Sequence, residues 1–157
     1  MRMLLTSFLL LGWMVGAQGD EPKLELTAEE KAVLELTNQE RAKEKQPPLK
    51  PNPILMKIAR AHSRNMAKQE KLAHELDGKK PHERAEDAGY KGAWIGENCA
   101  VGSDPYPPKD VMKGWMESAG HRKNLLDKKY KEIGIGAAKS ASGDIYWTQV
   151  FGLPDER

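Results

Sequence analysis

The chain has 157 residues and a formal net charge of +2, from 25 basic and 23 acidic side chains. This length suits one domain with its own core, and no run of a single charge sign is long enough to indicate a nucleic-acid groove. Cys99 is the only cysteine, which excludes an internal disulfide. We therefore expect no nucleic-acid partner, and a fold stabilised by packing, by a bound ion, or by both.

The first residues have the pattern of a signal peptide. Arg2 supplies a positive charge, residues 3–17 are uncharged and mostly apolar, and the small residues Ala17 and Gly19 stand where a signal peptidase would cut before Asp20. The apolar run is short for a membrane-spanning helix, which needs roughly 20 residues. An uncleaved membrane anchor is the alternative. We predict secretion, to the cell exterior or a periplasm, and no stable membrane span after cleavage.

This pattern divides the chain into four parts. The predicted parts are a signal peptide (1–19), a lead-in segment (20–26), one folded domain (27–152) and a short C-terminal tail (153–157).

Helical signals come first along the chain. Thr27 and Glu30 have the spacing of a capping box and predict a helix that runs to about Glu44. Asn52 followed by proline predicts the cap and first turn of a second helix, which runs to about Lys71 with one apolar stripe.

Shorter elements follow in the second half. The pattern predicts, in order, a short helix from Pro81 closed by Gly89, a strand over Trp94–Val101, a helix over Lys109–Glu117 broken at Ser118–Gly120, and a terminal hairpin whose turn is Ser140–Asp144. We find no internal repeat and no second domain.

Glu97 is the sharpest local signal of function. It shares one strand face with Ile95, Cys99 and Val101 by the period-two rule, so its carboxylate is predicted to point inward. A buried carboxylate is costly unless something pairs with it. A protonated or metal-bound histidine would serve, and so would backbone N–H groups. Cys99 is expected to be a small buried hydrophobe and not a reactive thiol.

The four histidines fall into three groups. His62 lies on the apolar stripe of the second helix, which favours a hydrogen-bonded core histidine over a ligand. His82 falls in the first turn of a short surface helix and is expected to be exposed. His74 and His121 each follow a helix, where irregular backbone suits functional groups held by a rigid scaffold. Nothing in the pattern alone places them near Glu97.

Several motifs together resemble one family. In their joint order and spacing they look like the bacterial form of the CAP superfamily, the cysteine-rich secretory, antigen 5 and pathogenesis-related proteins, also described as the SCP-like extracellular domain. The resemblance spans Leu26–Gly152. The motifs are Thr37–Arg41 with Pro47–Leu49, Ala61–Ala67 with Leu72–His74, Gly96–Asn98, Trp115–Arg122 with Asn124–Leu126, Ile133–Gly136 and Tyr146–Gly152.

The resemblance implies an α/β fold, a three-layer α–β–α sandwich with a small, largely antiparallel central sheet. It also implies a cleft lined by two histidines and two glutamates, in which His74, Glu97 and His121 match three positions. Members of the family can hold a divalent cation, often zinc, between the two histidines, and no organic cofactor is expected. The second glutamate position is Ser118 here. Glu117 comes one residue earlier, about 100° away on a helix, and is the weakest member of the predicted site.

Three functions are compatible with these residues. We expect a binding module, not an enzyme, that presents its cleft or a nearby surface to a lipid, a glycan, an envelope component or another protein. The first alternative is a zinc-dependent hydrolase of peptide or ester bonds. Two imidazoles and one carboxylate, from His74, His121 and Glu97, form a zinc site that can activate water. The second alternative is a structural envelope protein with a vestigial cleft.

Overall fold

The computed structural model describes residues 24–155; the predicted signal peptide and the last two residues lie outside this range. Five helices and four strands lie in the described residues. The helices are α1 (Ala28–Lys43), α2 (Pro53–Gln69), α3 (Pro81–Asp87), α4 (Pro108–Glu117) and α5 (Ala119–Leu126). The strands are β1 (Lys50–Pro51), β2 (Gly92–Ser103), β3 (Glu132–Lys139) and β4 (Asp144–Pro154).

The strands form one sheet in the order β1-β3-β4-β2. The short β1 pairs in parallel with β3, whereas β3–β4 and β4–β2 are antiparallel. The sheet is therefore largely antiparallel, as expected, and β2 is an edge strand. The predicted hairpin turn is confirmed, because β3 ends at Lys139 and β4 begins at Asp144, with Gly143 at φ 100°.

Helices cover both faces of the sheet and make the predicted α–β–α sandwich. Ile133 and Ile135 of β3 pack with Phe151 of β4 against α1 and α4, through side chains such as Val33 and Trp115. The opposite face packs against α2 and α3. There, Val150 meets Leu55, Ile58 and Ala59 of α2 and Ala85 of α3.

The helix α2 lies unusually close to the sheet. A Cβ added at Gly134 would collide with the backbone of α2 at Leu55, and one at Gly136 would collide with the backbone at Ala59. Ser63 of the same helix donates a hydrogen bond to the Gly136 carbonyl at 2.9 Å. This close approach sets the distance between α2 and the sheet. It therefore also restricts the position of the loop that follows α2.

The predicted helix starts agree with the structure. The Thr27 hydroxyl accepts from the Glu30 N–H at 3.2 Å, and Glu30 accepts from the Thr27 N–H at 2.9 Å, which completes the capping box. The Asn52 side chain accepts from the N–H groups of Ile54 and Leu55. The second helix ends at Gln69, two residues before the predicted end, where Glu70 takes a left-handed conformation with φ 49°.

One prediction about the backbone was wrong. Ser118 alone is extended and separates α4 from α5, whereas Ala119 and Gly120 belong to α5. His121 therefore lies in the first turn of a helix and not in irregular backbone. Tertiary contacts outweigh the low helix propensity of Gly120, because Leu125 of the same helix is fully buried in the core. The strand β1 was not predicted, since two residues carry no periodic signal.

Candidate metal centre at the edge of the sheet

Glu97 is the residue that the other side chains of the site contact. It lies on β2, only 6% exposed, and both of its carboxylate oxygens have partners. Oε1 accepts from Nδ1 of His74 at 2.9 Å, and Oε2 accepts from Nη2 of Arg84 at 2.6 Å. The prediction that this carboxylate points inward is confirmed. Its charge is balanced by an arginine as well as a histidine.

Arg84 is the site residue that sequence reasoning missed. It projects from α3 and also donates to the backbone carbonyls of His74 and Lys79, each at 2.8 Å. One guanidinium thus holds both the carboxylate and the loop that carries His74. In the sequence Arg84 stands among alternating charges that are typical of a solvated helix. The buried carboxylate required a cation, but no pattern indicated which one.

His62 and Cys99 complete the buried side of the cluster. His62 is a hydrogen-bonded core histidine, as expected, with Nε2 bonded to the Ala73 carbonyl at 2.8 Å. Nε2 also lies 3.7 Å from Glu97 Oε1. The Cys99 thiol is 3.4 Å from the same oxygen and 3.7 Å from Nδ1 of His74. His62, Glu97 and Cys99 each offer a ligand atom within 4.8 Å of the others.

The charges of the cluster are set by burial and by pairing. Burial raises the pKa of Glu97, but its bonds with His74 and Arg84 outweigh that effect and hold the pKa below its usual range. The hydrogen bond to Glu97 raises the pKa of His74. Burial lowers the pKa of His62, and it raises the pKa of Cys99, so this side chain is a protonated thiol. The cluster thus combines one carboxylate, one guanidinium and neutral inner donors.

His121 lies in the first turn of α5, in the other helical layer. Its backbone carbonyl accepts from Nδ2 of Asn98 at 3.1 Å. Asn124, one turn further along α5, donates to the Glu97 carbonyl at 3.1 Å and to the Asn98 side chain at 3.0 Å. These bonds attach α5 to the exposed edge of β2. Burial, and then the charge of His74, lower the pKa of half-buried His121.

The remaining candidates lie outside the cluster. Glu117 is 68% exposed and pairs at 3.9 Å with Lys113. It lines a shallow groove of about 410 Å³ between α1 and α4, beside Leu36 and Met112, and makes no contact with Glu97. His82 is exposed on α3, as expected. Among the described residues no helix has the length and apolar character needed to cross a membrane.

A histidine–glutamate cleft at the edge of an α–β–α sandwich is the arrangement expected for the CAP class. The comparison with protein families agrees, since the model of the cysteine-rich secretory protein family, CAP, matches residues 34–151. The chain belongs to this family, in its bacterial form.

Bacterial proteins are among those to which the chain is similar. The chain is 39% identical over 127 residues to the uncharacterized protein YkwD of Bacillus subtilis (strain 168), covering 80% of this chain and 48% of that protein. It therefore spans about half the length of this relative. An outer surface protein of Borrelia burgdorferi has the same fold, with a TM-score of 0.76, 19% identity and coverage of 84% of this chain and 97% of that one.

Two further structures share the fold. An extracellular protein containing a SCP domain from Bacillus anthracis str. Ames has a TM-score of 0.71 and 23% identity, covering 81% of this chain and 40% of that one. The protein NaASP2, solved with Zn²⁺, has a TM-score of 0.62 and 14% identity, covering 87% of this chain and 85% of that one.

Proposed function

We propose that this protein is an exported binding module whose cleft holds one divalent cation between His74 and His121, with Zn²⁺ as the first candidate. Its biological ligand, a lipid, a glycan, an envelope component or a protein, would bind at the cleft or on the surface beside it. The observation that carries the proposal is the hydrogen bond from Nδ1 of His74 to Glu97.

That bond decides which nitrogen is available. A carboxylate only accepts hydrogen bonds, so Nδ1 of His74 carries the hydrogen and Nε2 of the neutral ring keeps its lone pair. Metal-binding histidines commonly donate their other nitrogen to a carboxylate in this way, which fixes the tautomer and the ring orientation. His74 and His121 would be the ligands, and Glu97 the carboxylate that orients one of them.

The same contacts favour binding over hydrolysis. A zinc hydrolase needs a carboxylate or imidazole free to take a proton from metal-bound water. Both oxygens of Glu97 already accept from His74 and Arg84, and Glu117 lies on another surface. A hydrolase that used Glu97 as its base would have to protonate a carboxylate that is already paired with Arg84. The alternative of a vestigial cleft predicts that replacing His74, Glu97 and His121 together changes stability little.

Export is a separate part of the proposal. It is supported by the signal-peptide pattern over residues 1–19 and by two proteins of the same fold that are described as an outer surface protein and an extracellular protein. We propose that the mature protein begins at Asp20, followed by a lead-in, a domain over residues 27–152 and a short tail. Mass spectrometry of the secreted product should give that first residue.

Calorimetric titration with Zn²⁺ tests the cation site. The protein should bind one ion, and both His74→Ala and His121→Ala should abolish the binding, because each removes half of a two-histidine site. His82→Ala is the matched control, since it removes an exposed histidine outside the cleft, and it should bind like the parent. No binding by the parent, or equal loss in the control, would refute the proposed site.

A further inference from the structure

Positive charge is concentrated at one end of the molecule. Residues 40–50 and 122–132 together carry nine basic and four acidic side chains, a formal charge of +5, whereas the whole chain has a formal charge of +2. The remaining residues are therefore net negative. We propose that this basic end binds the surface of an anionic phospholipid membrane, with Trp94 at the lipid interface. This surface requires no cation in the cleft, so the inference goes beyond the proposed divalent site.

A buried arginine brings the two basic segments together. Arg41 is fully buried and donates to the carbonyl of Pro47 at 2.8 Å and to that of Asp127 at 3.0 Å. The Lys50 N–H donates to the Lys131 carbonyl at 3.0 Å. The end of α1, the segment that enters β1 and the loop between α5 and β3 therefore adjoin one another, although about 80 residues separate them in the chain.

Two of the acidic side chains at this end are already paired. Glu40 pairs with Lys43 at 2.6 Å, and Glu44 pairs with Arg122 at 3.3 Å. Beyond these pairs, the exposed side chains of the basic end include six lysines: Lys45, Lys50, Lys123, Lys128, Lys129 and Lys131. This end of the molecule therefore presents an excess of positive charge to a partner.

Trp94 adds an exposed apolar ring to the basic end. Its side chain is 55% exposed, and Nζ of Lys129 lies 4.6 Å from the centroid of the ring. Tryptophan is enriched where a membrane meets water, because its ring is largely apolar and its N–H is polar. Lysines beside it can meet the lipid phosphates. A soluble polyanion would engage the lysines but would leave the ring exposed, so the combination favours a membrane surface.

The charge distribution also sets the orientation of the bound protein. A membrane that contains anionic lipid attracts the basic end and repels the net negative remainder of the molecule. Each lysine that comes within a Debye length, about 10 Å at about 0.1 M salt, should raise the membrane partition coefficient ~5-fold. Binding should therefore weaken steeply as salt is added.

The test is co-sedimentation of the chain from Asp20 onward with lipid vesicles. Residues 1–19 are left out because their apolar run would bind lipid by itself, and the described residues contain the four-stranded sheet and both helical layers. Vesicles of equal parts phosphatidylglycerol and phosphatidylcholine should bind this chain at about 0.1 M salt, and phosphatidylcholine alone should not. A chelator of divalent ions keeps the result independent of the cation site.

Two double variants locate the binding surface. Lys128→Gln/Lys129→Gln should lower the partition coefficient ~20–30-fold, since it removes two lysines of the basic end. Lys68→Gln/Lys71→Gln is the matched control and should bind nearly as the parent does. It removes the same charge beside Glu70, whose carboxylate accepts from the Ser142 N–H at 2.8 Å in the β3–β4 turn, at the opposite end of the sheet.

Trp94 supplies a second readout. Among the residues that the structure describes, Trp115 and Trp147 are buried and Trp94 is the exposed tryptophan. Tryptophan fluorescence should therefore shift to shorter wavelength when the parent binds anionic vesicles. Trp94→Ala should abolish the shift and weaken binding.

Three results would overturn the proposal. One is a parent that does not bind the phosphatidylglycerol vesicles. Another is an equal loss of binding in the two double variants, or an unchanged fluorescence spectrum on binding, since the basic end and Trp94 would then not meet the lipid. The third is binding to long-chain inorganic polyphosphate without binding to vesicles, which would assign the basic end to a soluble polyanion.

Discussion

The pair between Arg84 and Glu97 is the contact on which the cleft most depends. The Arg84 side chain is 14% exposed and that of Glu97 is 1% exposed, so water screens this pair weakly. Breaking a buried pair leaves the other charge without a partner, which typically costs about 3–5 kcal/mol. Arg84→Met should lower the free energy of unfolding by about that amount in urea titrations.

The control for this variant is Lys43→Met, which breaks a surface pair with Glu40 in which the lysine is 67% exposed. Exposed pairs contribute little, so its stability should change much less. Equal losses in the two variants would contradict the role given to Arg84.

His74 should give the protein a pH-dependent stability. Its hydrogen bond to Glu97 raises the pKa of His74 in the folded state above the unfolded value of about 6.5. The stabilisation is therefore complete below that unfolded value and disappears as the pH rises through the raised pKa. The free energy of unfolding of the parent minus that of His74→Ala should fall steadily from about pH 5.5 to about pH 8.5.

The difference between these two proteins is the quantity to follow, because other histidines act in the opposite direction. Burial lowers the pKa of His62 and of His121, so each of them destabilises the folded state in acid. A difference that stays constant with pH, or grows as the pH rises, would contradict the pairing of His74 with Glu97.

The sequence predicted some of the individual site residues. The alternation of apolar residues around Glu97 predicted that its carboxylate points inward, and the family motifs indicated His74 and His121. The sequence did not indicate that Arg84 and His62 lie beside the Glu97 carboxylate. Arg84 lies 13 residues from Glu97 in a charged helix, and His62 looked like an ordinary core residue on an apolar stripe. Which side chains meet a buried carboxylate depends on tertiary packing, which no local pattern specifies.

Among the elements, α5 decides where His121 lies. Its Asn124 donates to the Glu97 carbonyl and to the Asn98 side chain, and Asn98 in turn donates to the His121 carbonyl. The edge of β2 and the first turn of α5 are therefore one connected unit. The sequence indicated a break near Ser118, but α5 begins at the next residue. Asn124, which attaches α5 to β2, comes six residues after the break and so gave no local signal of the new helix.

Removing this anchor should affect the cleft as well as the fold. Asn124→Ala leaves two acceptors without their donor, and unsatisfied buried groups cost about 1–3 kcal/mol. Because His121 is positioned through the same unit, the affinity for Zn²⁺ should fall by ~10–100-fold, the usual effect of losing an outer-shell partner. Urea unfolding and calorimetry measure the two effects.

Asn65→Ala is the matched control, since Asn65 belongs to α2 and its side chain bonds exposed Asp77 at 2.8 Å. It should leave zinc affinity unchanged. If Asn124→Ala binds zinc as tightly as the parent, α5 does not position His121 in the way described.

For the molecule as a whole, the site lies where the two helical layers meet the open edge of the sheet. Glu97 comes from β2, His62 and Arg84 come from α2 and α3, His74 comes from the loop between those two helices, and His121 comes from α5. The fold class followed from the order of helices and strands together with the family motifs. The position of the site between the two helical layers could not be predicted, because it joins residues that are distant in sequence. It also depends on how closely α2 packs against Gly134 and Gly136.

The most direct test of the cation site is the anomalous diffraction of crystals of this protein soaked with Zn²⁺. We predict one peak within bonding distance of Nε2 of His74 and of the His121 ring, with Nδ1 of His74 still bonded to Glu97. A zinc peak bonded directly to Glu97 in place of these histidines, or no peak in the cleft while zinc binds elsewhere, would contradict the proposed function.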